Sequence, residues 1–447
     1  MNSLDNNNIQ TNKNAIIMKS THYLSVFIGV CLCMNVWAQH TVFQIAKPVS
    51  ENFSEDRLAR IDQMLQQNIT DGYTCGTVGF IARNGKIVYN KAFGWDDNTK
   101  KAILKTDNIF RIASQTKAVT SVAVMILFEQ GKFLLDDPIS KYIPAFTHPK
   151  VLDKFNESDS SYTTVPSLRE ITIRDLLTHT SGIDYAQIGS DKMKAIYAKA
   201  KIPAGFVNHK LILANEINKL ASLPLVHQPG ERFTYGLNVD VLGYLVEVVS
   251  GESLDQFFKE RIFKPLGMND TYFYLPSSKF SRLVSVNTED EDHHLKKWDN
   301  NTFKGIAIDY PKSDGTYFSG GAGLVSTIQD YATFLQMMLN GGEYNDQRIL
   351  AKRTVELMTT NQIGNLSLGA NKFGLGFEIT TQSGQAKLGI TEGSFAWGGF
   401  FATTYWVDPK EKLVCLLFMQ QWPLSHGEIQ DKFKAMVYQA LNDSIVR

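Results

Sequence analysis

Residues 116–129, TKAVTSVAVMILFE, constrain the fold of this chain more than any other stretch. From Ala118 to Phe128 every residue except Thr120 and Ser121 is apolar. A helix of that kind is hydrophobic nearly all round and belongs in the core of a large protein. At its start Ser114 and Lys117 stand three residues apart, on one face and within side-chain reach. Burying an ammonium is costly unless it is paired or gives up its proton, so the pair needs a reason. The 447 residues suffice for one large domain or two closely packed ones. The formal net charge is zero, so nothing points to nucleic acid or to a polybasic membrane patch.

The N-terminus reads as a leader. Residues 1–17 are polar and Asn-rich, and Met18 is a plausible start. Lys19 forms a short positive region, Tyr23–Met34 a mostly apolar one, and Val36-Trp37-Ala38 suits cleavage before Gln39. This is the pattern of a secretory signal peptide, too short for a stable membrane span. Val30 and Leu32 are poor residues to precede a lipidated Cys31 or Cys33. The expected organisation is an extension and signal peptide over 1–38 and an exported domain over 39–447, periplasmic or secreted. Cys75 and Cys415 then remain, too few for a disulfide scaffold, and are expected to be buried free thiols.

Strand signals cluster at both ends of the mature chain. Ser54 before Glu55 and Asp56 starts a helix with Leu58, Ile61, Met64 and Leu65 on one face. GTVGFIARNGKIVYNKAFGW is a hairpin around Asn84-Gly85. The Ser114 helix stops at Gly131. Helical segments with Pro/Gly punctuation fill the middle, and residues 271–318 look irregular. After a helix in STIQDYATFLQMMLNGG, strands return in FGLGFEI, GFFATTYWVDP and KLVCLLFMQQ. A last helix presents Ile429, Phe433, Val437 and Leu441. The expected fold is α+β: a central antiparallel sheet from both chain ends, flanked by helices (about 55–135 and 320–447). A mostly helical insertion (about 136–319) lies beside it, with a site in the cleft between them.

Three short boxes carry the chemistry. Ser114-Gln115-Thr116-Lys117 is the only S-x-x-K in the chain. A serine hydroxyl needs a base within hydrogen-bond reach, and a lysine whose pKa is lowered by desolvation can supply or share that role. Tyr235 follows the Pro229-Gly230 turn just before a helix, where a phenol near an ammonium can hold or deliver a proton. Trp397-Gly398-Gly399 is expected to open a strand, its glycines letting backbone approach a ligand closely. The N–H groups of Ser114 and Phe400 would then form an oxyanion hole.

In this order the boxes resemble the serine β-lactamase and penicillin-binding-protein superfamily, whose S-x-x-K is a catalytic motif. The best match is its class C-like branch, which includes the family VIII carboxylesterases. LTHTSGI (177–183), PGERFTYGLNVDVLG (229–243), PLGMNDT (265–271) and GGAGLVST (320–327) extend the resemblance over roughly residues 55–442. It implies a β-lactamase/transpeptidase-like fold and a two-step acyl transfer without metal or organic cofactor. Ser114 attacks, Lys117 and Tyr235 act as general base and acid, and Ser114 and Phe400 hold the oxyanion. Trp397, Gly398, Gly399 and Asn238 contact a small-molecule ester or related acyl substrate.

Two departures separate this chain from the lactamases of that branch. Their second box is Tyr-x-Asn, but here Leu237 takes the asparagine's place and Asn238 comes one residue late. Their third box carries a cation, and Trp397-Gly398-Gly399 has none, though Gly393-Ser394 could be aligned there with one gap. Polar recognition of a penicillin-like carboxylate is thereby lost, as in the esterases. The remaining readings are an acyltransferase, a β-lactamase or DD-peptidase, and a silent binding protein. Neither G-x-S-x-G nor H-E-x-x-H occurs. TEDEDHH (288–294) reads as an acidic solvated loop, and His179 as a structural hydrogen-bonder.

Overall fold

A computed structural model of the chain describes residues 42–299, 303 and 305–442. The expected leader, its cleavage site at Ala38, and Cys31 and Cys33 lie outside the described residues.

Eight strands form the main sheet: β1 (Gln44–Ile45), β2 (Gly76–Arg83), β3 (Lys86–Gly94), β4 (Lys372–Phe373), β5 (Glu378–Ile379), β6 (Phe395–Gly398), β7 (Thr403–Asp408) and β8 (Leu413–Phe418). Their order is β1-β3-β2-β8-β7-β6-β5-β4. The two chain ends meet at its middle, where β2 and β8 run antiparallel with Val78 opposite Phe418. The sheet is antiparallel except at one edge. There the short extended segment β1 lies along β3 in parallel, joined by Gln44 N to Gly85 O at 3.2 Å and Ala46 N to Ile87 O at 3.0 Å. The hairpin turns at Asn84 and Gly85, both with positive φ (54° and 74°), as a two-residue turn of right-handed twist requires.

Five helices matter for the site: α1 (Glu55–Thr70), α2 (Thr116–Glu129), α3 (Asn238–Ser250), α4 (Ile328–Leu339) and α5 (Glu428–Ala440). Both sheet faces are covered, which explains the unbroken apolar run of β8. Its residues alternate: Leu413, Cys415 and Leu417 join Leu58, Ile61, Ile429 and Phe433 of α1 and α5. Val414, Leu416 and Phe418 face the core that contains α2, α3 and α4. Every residue of α2 from Thr116 to Leu127 is buried. The chain leaves α2 through Gly131 at φ 69°, as the sequence predicts.

The middle of the chain is not wholly helical. Lys150–Phe155 pairs with Tyr162–Pro166, and Asn287–Glu289 with Leu295–Lys297. The first hairpin buries only Val151, so it lacks the apolar alternation that marks a half-buried strand. Leu254–Leu266 is helical throughout but passes through a π turn at Lys259–Phe263. Buried Arg111 staples the irregular segment to the site region, donating to Ile308 O at 2.6 Å and Val284 O at 2.7 Å.

Cys75 and Cys415 are buried free thiols, and burial pushes the Cys75 thiol up to about 12. The 288–294 segment is less solvated than expected. Glu289 is buried and accepts from Gln421 Nε2 at 2.9 Å and Ser425 N at 3.0 Å, tying its hairpin to the end of the sheet. Among the described residues no helix is long and apolar enough to cross a membrane, and no group of three or more His, Cys, Asp or Glu could hold a metal ion.

Candidate active site

Ser114 does not lie within α2 itself. It occupies a 3-10 turn, Ala113–Gln115, immediately before it. Ala113 holds φ at 46°, a left-handed conformation costing a non-glycine residue ~1–3 kcal/mol. Strain of this kind persists only where the surroundings over-determine it, and here it precedes the proposed nucleophile. The first N–H groups of such a turn, Ser114's among them, have no partner within the turn.

Lys117 is 2% exposed, one turn on. Its Nζ donates to Ser114 Oγ at 3.3 Å, Tyr185 Oη at 2.9 Å and Gly321 O at 2.8 Å, one acceptor for each N–H of an ammonium. The faces of Tyr235 and Tyr185 lie 4.6 and 5.3 Å from Nζ, adding cation–π attraction. Desolvation was expected to lower the Lys117 pKa. Burial does pull it down, but the charge and hydrogen bonds of the Tyr185 and then the Tyr235 oxygen outweigh that, and the net direction is up. The three acceptors around Nζ suit an ammonium. Burial raises the Tyr185 pKa, with the neighbouring Lys117 working against it.

The Gly321 carbonyl is aimed at Lys117 by a buried carboxylate. Asp240 of α3 accepts from Ser319 Oγ at 2.5 Å and Gly321 N at 3.3 Å. A Cβ on Gly321 would lie 2.3 Å from Asp240 Oδ2, so a side chain there would displace that carboxylate. Thr120 Oγ1, one turn beyond Lys117 on α2, holds Gly320 O at 2.7 Å. Burial raises the Asp240 pKa, with Ser319 and Lys117 working against it.

Tyr235 sits between Lys117 and the third box. Trp397 Nε1 donates to Tyr235 Oη at 3.3 Å, and the two rings are 5.3 Å apart. His179 packs on the other side of Tyr235, 4.8 Å between rings. Desolvation, then the charge of Lys117, keeps His179 neutral by lowering its pKa.

Trp397-Gly398 closes β6 rather than opening a strand. The chain then turns through Gly399–Ala402, with Gly399 N bonded to Thr403 O at 2.7 Å and Ala402 at φ 65°. A Cβ on Gly399 would stand 2.4 Å from Ile112 O, so this turn lies directly against the loop that carries Ser114. The N–H of Phe400, the next residue, has no acceptor among the described residues. Gly393-Ser394, at the start of the same strand, bonds back to Thr380 instead. The Phe400 ring stacks on Trp422, 4.8 Å between centres.

Asn238 departs from the substrate-contacting position expected of it. It is fully buried at the start of α3 and bonds to Ser181 Oγ, to His179 Nδ1 at 3.0 Å and to Ile183 O at 3.3 Å. Its amide is consumed in fixing the His179–Ile183 turn. Leu237 is buried as well, 2% exposed. The structure thus brings Ser114, Lys117, Tyr235, Trp397, Gly399 and Phe400 together, and leaves Asn238 behind them. Sequence reasoning missed Tyr185, Gly321 and Asp240. Tyr185 lies two residues beyond the LTHTSGI stretch, and Gly321 within GGAGLVST, so both sat at motifs already in view.

The chain is similar to known proteins over most of its length. The family model Beta-lactamase matches residues 61–438. A putative D-alanyl-D-alanine carboxypeptidase of Escherichia coli (strain K12) is 28% identical over 439 residues, covering 92% of this chain and 92% of its own. Esterase EstB of Burkholderia gladioli is 28% identical over 380 residues, covering 80% and 89%. Among solved structures, EstCE1, a hydrolase with promiscuous acyltransferase activity, superposes with a TM-score of 0.75 at 25% identity. That match covers 87% of this chain and 100% of EstCE1.

Proposed function

The chain belongs to the Beta-lactamase family, and on that premise we propose that it is a serine hydrolase cleaving carboxylic esters through an acyl-enzyme at Ser114. The observation that carries this reading is the hydrogen bonding of the buried Lys117. Its three donors are spent on Ser114 Oγ, Tyr185 Oη and Gly321 O, beneath the ring of Tyr235.

A cation there favours negative charge on the oxygens around it. In the proposed first step the Ser114 hydroxyl proton passes to the Lys117/Tyr235 pair, which enters the step one proton short of ammonium plus phenol. Oγ bonds to the ester carbonyl carbon, and the N–H groups of Ser114 and Phe400 receive the oxyanion. Collapse breaks the bond to the alcohol oxygen, which leaves with the proton from Tyr235. Water then attacks the acyl-enzyme by the same route, its proton passing to Tyr235 and on to Ser114. Tyr185 fixes Lys117 in place and stays a phenol.

The specificity argument rests on Trp397 and Leu237. Where the lactamases carry a cation, Trp397 gives an indole N–H to Tyr235, and Leu237 is buried. A site without those polar groups has little to orient a β-lactam or D-Ala-D-Ala carboxylate. Transfer to an alcohol or amine is the second reading, favoured by the likeness to EstCE1, a hydrolase with promiscuous acyltransferase activity. The same proposal includes export, with residues 1–38 removed and 39–447 as the mature domain.

The test uses purified 39–447 with p-nitrophenyl acetate, a chromogenic cephalosporin and a D-Ala-D-Ala peptide, with and without added alcohol. Ester turnover that far exceeds turnover of the other two, and that is lost in Ser114→Ala, is expected. Ester product formed chiefly as a new ester when alcohol is present would favour the transferase. Rapid cephalosporin hydrolysis would overturn the esterase reading.

A further inference from the structure

His179 stands where glycine is usual. The short helix Ile173–Leu177 ends in a left-handed closing turn, with His179 N bonded to Leu176 O at 3.4 Å and Thr180 N to Asp175 O at 2.8 Å. His179 holds φ at 56° in that turn, a conformation glycine would adopt without strain. The side chain is fully buried, and Nε2 has no hydrogen-bond partner among the described residues. Strained backbone and an unpaired buried polar atom both cost free energy, so the imidazole needs a reason.

Its partners fix its tautomer. Nδ1 faces Gly236 N at 3.4 Å and Asn238 Nδ2 at 3.0 Å. A backbone N–H only donates, and the Asn238 amide nitrogen is identified by Ile183 O at 3.3 Å, which only accepts. Nδ1 is therefore the bare acceptor, and the proton of the neutral ring is on Nε2.

The same contacts enclose Tyr235. His179 O accepts from Thr234 N at 2.7 Å and Nδ1 from Gly236 N, so one residue holds the backbone on both sides of the phenol. The imidazole packs on the Tyr235 ring at 4.8 Å. Phe233 and Phe373 pack on the imidazole in turn, 5.7 and 5.6 Å between ring centres. Gly236 is already pressed against the His179–Ile183 turn: a Cβ there would lie 2.0 Å from Ile183 O.

We propose that His179 is a positioning residue for Tyr235. Its carbonyl and Nδ1 clamp the backbone on either side, and its ring supports the phenol, so that Oη is held between Lys117 and Trp397. It exchanges no proton with substrate and acts on the reaction only through Tyr235. The inference rests on the reading of Tyr235 as a proton carrier beside Ser114.

The test measures kcat, KM and single-turnover acylation with p-nitrophenyl acetate, the slow variants being followed by intact mass. The proteins are wild-type 39–447, His179→Leu, His179→Asn, Tyr235→Phe and the double variant His179→Leu/Tyr235→Phe. Leucine fills the site without an acceptor, whereas asparagine restores one near the place of Nδ1 and tolerates positive φ. A reacting group misplaced by about 1 Å costs ~100-fold, so His179→Leu is expected to lose about that much in kcat, with KM within about twofold. His179→Asn is expected to recover at least about tenfold of the loss. In the Tyr235→Phe background the leucine substitution is expected to change acylation by no more than about twofold, because the group it displaces is gone. An equal loss in both backgrounds marks a merely structural residue and overturns the proposal. So does a loss expressed in KM, a His179→Leu rate within about threefold of wild type, or no recovery by asparagine. If His179→Leu does not fold, His179→Gln takes its place, its amide reaching past the Nδ1 position, and the same outcomes decide.

If no ester acylates Ser114, or if Tyr235→Phe acylates at the wild-type rate, the reading of the site has failed and geometry decides instead. Crystal structures of wild type and of the folded leucine or glutamine variant are then compared. A Tyr235 phenol shifted away from Trp397 Nε1, from which it accepts at 3.3 Å, supports the positioning role, and an unmoved phenol overturns it.

Discussion

The oxyanion hole can be probed without touching any side chain that moves a proton. In Gly399→Ala the new methyl would stand 2.2 Å from Thr403 Oγ1 and 2.4 Å from Ile112 O, where ordinary contact begins at 3.4 Å. The threonine hydroxyl can rotate away, but Ile112 O is backbone of the loop that carries Ser114. The Gly399 turn must therefore retreat by about 1 Å (3.4 less 2.4), and the Phe400 N–H goes with it. A hydrogen bond of about 2.9 Å stretched by that much is close to 4 Å and is lost. Losing one oxyanion donor costs about 10²–10³ in kcat, or ~2.7–4 kcal/mol of barrier. The assay is the acylation rate of 39–447 with p-nitrophenyl acetate in the pre-steady state, with circular dichroism and a thermal melt to show that the variant is folded. Gly398→Ala is the internal comparison: its methyl meets Thr403 O alone, at 3.3 Å, and calls for an adjustment of only a tenth of an ångström. It is expected to lose at most a few-fold. Acylation of folded Gly399→Ala within about fivefold of wild type would refute both the contact argument and the role given to Phe400.

Three further perturbations test the surroundings of the site. Tyr185→Phe removes one of the three acceptors of the Lys117 ammonium; a hydrogen bond to a charged group is ~1.5–3 kcal/mol, so kcat/KM should fall about 10- to 150-fold, and an unchanged value would remove Tyr185 from the machinery. Asn238→Ala leaves His179 and Ser181 without their buried partner and should destabilise the fold by ~1–3 kcal/mol in a denaturant titration without raising KM; a raised KM at unchanged stability would return Asn238 to the substrate. Burial chiefly, with the charge of Asp270 adding to it, raises Asp330 from 3.8 to about 6. The folded state then binds more protons than the unfolded one between those values, so stability falls as pH rises through that window, by up to ~2–3 kcal/mol. Asp330→Asn should flatten that fall in urea midpoints measured across it, and an identical pH dependence in the variant would contradict the assignment.

Local signals in the sequence carried well into three dimensions. The all-apolar run of α2, the Asn84-Gly85 hairpin, the Ser54 cap and the sheet from both chain ends were legible because each depends on near neighbours or on simple periodicity. The surroundings of Lys117 were not legible. Its acceptors arrive from Ser114, Tyr185 and Gly321, up to 204 residues apart in the chain, and desolvation alone suggests the opposite direction for its pKa. Asn238 was misplaced because the first turn of α3 points its side chain back to the His179–Ile183 turn, which no spacing argument reveals. The hairpin Lys150–Phe155/Tyr162–Pro166 escaped because its faces are mostly exposed. Trp397 was read as opening a strand, whereas the turn that follows it is fixed by the contact of Gly399 with Ile112, distant in sequence.

The central claim is a covalent acyl group on Ser114, held beside an ammonium. Its most direct test is intact-protein mass spectrometry of 39–447 and of its Ser114→Ala variant, quenched in acid during turnover of a slow p-nitrophenyl ester. A peptide digest then locates the adduct. The account predicts a mass increase of one acyl group in wild type, mapped to the Ser114 peptide, and none in the variant. Turnover with no adduct, an adduct on another residue, or an equal adduct in Ser114→Ala would contradict it.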